Sequence, residues 1–239
     1  MTNRIESTHP TQHAPRWWWN VREIVLGAND GLVSTLAFVA GAAAAVPDPE
    51  IILLATIVEV VAGSISMGFG AWVACRSRSE LERRELAIED IHLRERPHEE
   101  QAELEGYLRS HGLEDQDVEV VSRVVRKNKS LFLSLMGGLE LGVQPVPDSP
   151  RRAGVSMAAA FAVGALPAAL PFLFIDRPYI ALAVAVGTSL AFLVAIGFWR
   201  SHIGGTKRGR SVTEMVIVGA IATAAGYFLG HLAAMLLGA

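Results

Sequence analysis

Apolar residues in this chain fall mainly into long runs rather than a helical or strand rhythm. Five runs are about 20 residues or longer: 22–46, 51–75, 153–175, 179–200 and 211–237. A helix of about 20 apolar residues crosses the hydrocarbon core of a bilayer, so each run predicts a membrane helix. Pro47-Asp-Pro49 separates the first two runs, Asp176-Arg-Pro178 the third and fourth, and the glycine-containing stretch Ser201–Arg210 the last two. Between the second and third runs the pattern changes to charged residues with apolar positions at helical spacing. Leu81, Leu86, Ile88, Ile91 and Leu93 predict a helix over 79–96, which Pro97 stops while opening a second helix to about 110. A third is predicted from about Glu114, with Val118, Val121, Val124 and Val125, running on toward Leu141. Pro145, Pro147 and Pro150 then break the chain.

The expected architecture is an all-α membrane protein: five transmembrane helices with a cytoplasmic three-helix insertion between the second and third. The divisions are a polar tail over 1–20, helices one and two over 21–75, the insertion over 76–150, and helices three to five over 151–239.

Composition agrees with that division. Of 239 residues, 51% are hydrophobic, too many for an ordinary soluble domain, yet 19% are charged and these concentrate in 76–129. A net charge of −3 gives no reason to expect nucleic acid. The single Cys75 excludes an intramolecular disulfide and a zinc site built on several thiolates. The first twenty residues carry no apolar segment with a cleavage site, so no signal peptide is expected. Trp17, Trp18 and Trp19 read as an interfacial anchor.

Basic residues set the expected orientation. Arg16 and Arg22 precede the first helix; Arg76, Arg78, Arg83 and Arg84 follow the second. Arg151 and Arg152 precede the third, and Arg200, Lys207, Arg208 and Arg210 lie between the last two. The opposite loops hold only Arg177. The N-terminus and residues 76–150 are expected in the cytoplasm, and the C-terminus on the other side.

Within the first apolar run stands Asp30, beside Asn29 and bracketed by Gly27 and Gly31. A carboxylate at the centre of a membrane helix costs about 2.5–3.5 kcal/mol on insertion scales, so it marks a functional site by default. Asp30 lies eight residues past Arg22, and Met67 nine before Arg76. At about 1.5 Å per residue both sit about 12–14 Å from the cytoplasmic end of their helices. Glu59 is about two turns deeper than Met67, and Glu23 stands at the mouth. These residues predict a cation path, and carboxylates in such a path can also carry protons. The small residues Gly63, Ser64, Ser66, Gly68 and Gly70 around Met67 fit close helix packing as well as they fit a path.

Acids recur at helical spacing in the insertion: Glu85, Glu89 and His92 on one face, Glu99, Glu100 and Glu103 on the next helix, and Glu140 four residues past Met136. Glu89-Asp-Ile-His92 is one copy of the Glu-x-x-His di-iron pattern, of which a ferritin-like bundle needs two. Carboxylate, imidazole and thioether together suit Fe²⁺, Mn²⁺ or Zn²⁺ better than Mg²⁺ or Ca²⁺. A solvated acidic face paired with Arg84, Arg94 and Arg96 explains the spacing equally well.

Three segments together resemble the vacuolar iron transporter family of plants, yeast and bacteria: Arg22-Glu-Ile-Val-Leu-Gly-Ala-Asn-Asp-Gly-Leu-Val-Ser-Thr35, Gly63-Ser-Ile-Ser-Met-Gly-Phe-Gly70, and the Glu-rich insertion ending in Met136 and Glu140-Leu-Gly142. The resemblance runs from about 20 to 237. It implies a homodimer that exports Fe²⁺, often Mn²⁺ too, from the cytosol in exchange for protons. The plasma membrane is implied for a bacterial protein and the vacuolar membrane for a eukaryotic one. By matching position it implies Asp30 and Met67 as translocation ligands, with Glu59 and Glu23 as further pathway acids. It also implies Glu89, Glu100, Glu103, Met136 and Glu140 as metal ligands of the insertion. His92 stands where a glutamate is expected, Gly137 where a larger side chain follows Met136, and Gly70-Ala-Trp72 replaces a Gly-Glu-Tyr type of sequence.

Metal is expected as substrate and bound ion, with no prosthetic group. The competing expectation is a membrane-anchored iron-binding or sensing protein, which would need no intramembrane acids. An embedded enzyme is disfavoured: the spans hold no nucleophile with a paired base, and His202 and His231 lie near opposite ends.

Overall fold

The computed structural model describes residues 21–46, 48–140, 149–204 and 208–237. The expectations for Trp17–Trp19, Pro47, Pro145, Pro147 and Lys207, and for the side chain of Glu140, lie outside the described residues. Every regular element described is a helix: α1 (Val21–Ala45), α2 (Pro49–Glu95), α3 (Pro97–Ser110), α4 (Asp115–Arg126), α5 (Lys129–Glu140), α6 (Pro150–Ala169), α7 (Pro171–Phe174), α8 (Pro178–Gly204) and α9 (Arg208–Leu237). Five of them, α1, α2, α6, α8 and α9, contain stretches long and apolar enough to cross a membrane. Helices α2, α3, α6, α7 and α8 each begin with a proline. At the first position the missing N–H has no helical partner to lose, so proline marks a start. The Asp48 carboxylate caps α2 by accepting from the backbone N–H groups of Glu50 at 3.0 Å and Ile51 at 3.3 Å.

The chain divides into two compact units, with boundaries at Trp72/Val73 and Pro150/Arg151. In the first unit, backbones approach where side chains are small. Gly31 of α1 lies against the Phe161 carbonyl of α6, and Gly164 of α6 against the Ala28 carbonyl of α1. Gly226 and Gly230 of α9 meet the carbonyls of Ala37 and Gly41 of α1. A Cβ at any of these four glycines would run into backbone. Such approaches let membrane helices gain packing where apolar burial gives no drive. Leu36, Val39, Ala43, Ile52, Ala168, Phe172, Ala181 and Ala185 form the largest buried apolar cluster here. Outward, α2 exposes Ile51, Leu54, Val58, Val61, Ile65 and Phe69, and α9 exposes Ile217, Ile221, Phe228 and Leu232. Exposed apolar stripes of this length belong against lipid or another helix.

The third membrane segment is not one helix over 153–175. It breaks at Leu170, between α6 and α7. Pro171 cannot donate to the carbonyl four residues back, that of Pro167. The Thr188 hydroxyl of α8 donates to that carbonyl instead, at 2.7 Å.

In the second unit, the latter part of α2 is followed by α3, α4 and α5. No proline or glycine interrupts 71–96, so α2 runs on to Glu95 past the expected end of the second span at 75. The single helix expected from Glu114 toward Leu141 is two helices. Asn128 ends the first turnwise and begins the second, its side-chain oxygen accepting from the Leu131 N–H at 3.2 Å. The break brings Phe132 and Met136 of α5 onto Leu104 of α3 and Val125 of α4, the core of this unit.

Candidate metal path and acidic cluster

Asp30 lies seven positions past Glu23, which places both on one face of α1, about 20° apart. Asp30 is half-buried. The Ser34 hydroxyl donates to its backbone carbonyl at 2.6 Å. One turn deeper, Thr35 is fully buried and its hydroxyl donates to Glu59 Oε2 of α2 at 2.9 Å. Thr35 stands five residues past Asp30 on α1, so Glu59 meets α1 a little more than one turn deeper than Asp30. One membrane acid thus stands on α1 and the other bonds α1 about one turn deeper. Glu23 Oε2 and Asn29 Oδ1 are buried acceptors without a hydrogen-bond partner among the described residues. Met67 is half-buried on α2, two turns from Glu59.

Phe161 of α6 sets the spacing of these helices. Its carbonyl abuts Gly31 of α1, and its ring lies where a Cβ at Gly63 of α2 would be. Gly31 is one turn before Thr35, and Gly63 one turn after Glu59. The Thr35–Glu59 contact thus sits beside a wedge with no slack. Gly68 of α2 likewise meets Gly154 of α6: a Cβ at Gly68 would lie 2.9 Å from the Gly154 carbonyl oxygen.

In the second unit, Glu100 is buried, 5% exposed, and its Oε1 lies 3.6 Å from His92 Nδ1. Glu100 Oε2 has no hydrogen-bond partner among the described residues. Glu89 is half-buried, and Glu103 is exposed. No three His, Cys, Asp or Glu side chains among the described residues converge tightly enough to enclose a metal ion. Met136 is fully buried within the apolar core, packed with Leu104, Val125 and Phe132. A Cβ at Gly137 would lie 2.8 Å from Leu86 Cδ2. The missing side chain at 137 is thereby explained: Leu86 fills its place.

The arginines do pair with acids, though among the described residues none is seen on Glu100. Arg76 bonds Glu80 at 2.7 Å, Arg78 bonds Glu82 at 2.9 Å, and Arg94 bonds Asp90 at 2.7 Å. Asp90 also pairs with Lys129 of α5. The Lys129 hydrogen bond, with Arg94 beside it, holds the Asp90 carboxyl below its ordinary range. The solvated-face reading therefore describes Glu80, Glu82, Asp90 and Glu99, which Arg96 meets at 3.5 Å, while Glu100 and His92 are left facing each other.

Sequence reasoning passed over Ser34, Thr35 and Asp90. For the first two a signal exists, since they are the next hydroxyl residues after Asp30 in an apolar helix.

Comparison with known proteins bears on the whole arrangement. The model of the VIT family matches residues 21–231. The chain is 34% identical over 210 residues to vacuolar iron transporter 1 of Arabidopsis thaliana, covering 87% of this chain and 84% of that one. It is 30% identical over 226 residues to vacuolar iron transporter 1 of Oryza sativa subsp. japonica, covering 92% and 90%. A vacuolar iron transporter of Toxoplasma gondii is 28% identical over 229 residues, covering 92% and 76%.

Proposed function

This chain belongs to the VIT family, and on that premise we propose that it is a multi-pass membrane transporter moving Fe²⁺, and Mn²⁺ with it, out of the cytosol in exchange for protons. The observation that carries the reading is the pair of acids inside the membrane helices: Asp30 on α1, and Glu59 of α2, which bonds α1 about one turn deeper at Thr35. A membrane anchor has no use for them, since an acid in an apolar span costs stability unless it serves a path.

In this reading Glu23 receives the ion at the cytoplasmic mouth, Asp30 and Met67 bind it within the span, and Glu59 passes it deeper. Oxygen ligands accept any small divalent ion. The Met67 thioether tilts the choice toward transition metals. A carboxylate that releases the ion can take a proton in its place, which couples the two flows. Two copies of the chain pair through the exposed stripe of α2, which places the path at the dimer interface. The insertion 76–150 faces the cytosol and gathers metal through Glu89, His92, Glu100, Glu103 and Glu140, with Glu100 and His92 as its nucleus. Met136, four residues before Glu140 on α5, joins them as a thioether ligand. The membrane is the plasma membrane in a bacterium and the vacuolar membrane in a eukaryote.

Proteoliposomes with an imposed pH gradient test the proposal. Mn²⁺ and Fe²⁺ uptake is expected to exceed that of protein-free vesicles and to slow when a protonophore collapses the gradient. Uptake equal to that of empty vesicles overturns transport, and uptake indifferent to the protonophore overturns proton exchange.

A further inference from the structure

The buried hydroxyl of Thr35 is the one group shown to bond Glu59 across from α1 at hydrogen-bonding distance, 2.9 Å. Three observations make this more than a chance contact. Thr35 is fully buried, so its hydroxyl has no water to bond and needs an acceptor within the protein. The acceptor it has taken is a carboxylate oxygen, and such charge-assisted bonds are stronger than neutral ones, the more so in a low dielectric. The helices on either side are held by Phe161, wedged against Gly31 and Gly63 one turn from each partner. Backbone packing therefore fixes the distance that the hydrogen bond spans.

Resting on the transport reading above, we propose that Thr35 is a positioning residue of the path: it holds the Glu59 carboxylate in the orientation that meets the ion. A glutamate has three rotatable bonds and loses more freedom on being fixed than most side chains. Holding it before the ion arrives removes that loss from the binding step. Thr35 is β-branched, so its own rotamer is restricted from the start. Valine has the same shape without the donor, and serine keeps the donor without the methyl.

The purified full-length protein, reconstituted in vesicles, tests this with Mn²⁺ as the probe. Initial uptake rates give KM and kcat, and the electron paramagnetic resonance of free Mn²⁺ reports binding without any need for transport. Thr35→Val is expected to raise KM and the apparent Kd about tenfold, the scale of a hydrogen bond to a charged group, while kcat changes less than about threefold. Thr35→Ser is expected to stay within about twofold of the wild type. In a Glu59→Ala background, Thr35→Val is expected to add nothing, because the group it positions is gone. Wild-type KM and Kd in Thr35→Val overturn the proposal, and so does an equal loss in the Glu59→Ala background. Should Thr35→Val not fold, Thr35→Ala removes the same donor with less demand on packing and is read the same way. Failure of the transport reading looks different: wild-type vesicles take up no Mn²⁺, while the binding arm still decides the role of Thr35.

Discussion

Thr188 of α8 donates a hydrogen bond of 2.7 Å to the carbonyl of Pro167 in α6, the carbonyl that Pro171 cannot serve. The same hydroxyl lies 2.9 Å from the Val184 carbonyl within its own helix. A polar side chain inside one apolar helix thus repairs a break in another. In a bilayer no water is available to do so. Thr188→Val is expected to destabilise the membrane unit by about 1 kcal/mol, within the range of hydrogen bonds between membrane helices. Thr188→Ser should keep most of the stability. Thermal unfolding of the detergent-solubilised protein checks both, and equal stability of the valine variant would show the carbonyl satisfied by other means.

The α1–α9 crossing depends on bare backbone at Gly226. A Cβ there meets the Ala37 carbonyl group, so Gly226→Ala should cost about 1–3 kcal/mol, the usual penalty of overpacking. Gly187 of α8 has nothing within 4 Å of the same position. Gly187→Ala should therefore raise stability, by up to about 1 kcal/mol, through helix propensity alone. The same melting experiment compares them; equal losses at the two sites would contradict the crossing.

Asp90 links α2 to α5 through Lys129 and carries a lowered pKa. A carboxyl lowered in the folded state stabilises the fold above its unfolded value of 3.8 and loses that contribution as pH falls through the folded value. Amide hydrogen exchange in α5 should therefore become less protected in the wild type as pH drops below about 4, whereas Asp90→Asn should show the weaker protection already at neutral pH. Exchange that is the same in both proteins at pH 7 would mean that the ion pair does not hold α5.

Glu100 is buried, with one oxygen unpartnered among the described residues and a histidine near the other. Replacing Glu100 and Glu103 together by alanine is expected to lower the Fe²⁺ stoichiometry of the full-length protein by at least one ion. Anaerobic titration calorimetry reads this directly, and an unchanged stoichiometry would remove the insertion from metal binding.

The membrane helices were legible because length and apolar content alone define a span, and prolines mark several of their starts. What sequence could not show was pairing between distant segments. Asn128 reads as an ordinary polar residue in a valine-rich helix until its capping bond is seen, and the break it makes seats Met136 in the core of the second unit. The run 153–175 reads as a single span although it holds Pro167 and Pro171, and the hydroxyl that tolerates its break lies 21 residues downstream of Pro167. Asp30 and Glu59 stood out as isolated charges, since a charge in an apolar run is visible by itself. Thr35 did not, because a threonine in such a run becomes informative only when its partner is known.

Uptake of Mn²⁺ by Asp30→Ala in proteoliposomes with an inside-acidic pH gradient tests the central claim most directly. With a transport path through α1 and α2, the variant should lose at least about 90% of the wild-type initial rate, because it removes the charged ligand that sits with Met67 in the middle of the path. Its assembly should remain intact by size exclusion. Wild-type uptake by the variant would contradict the path.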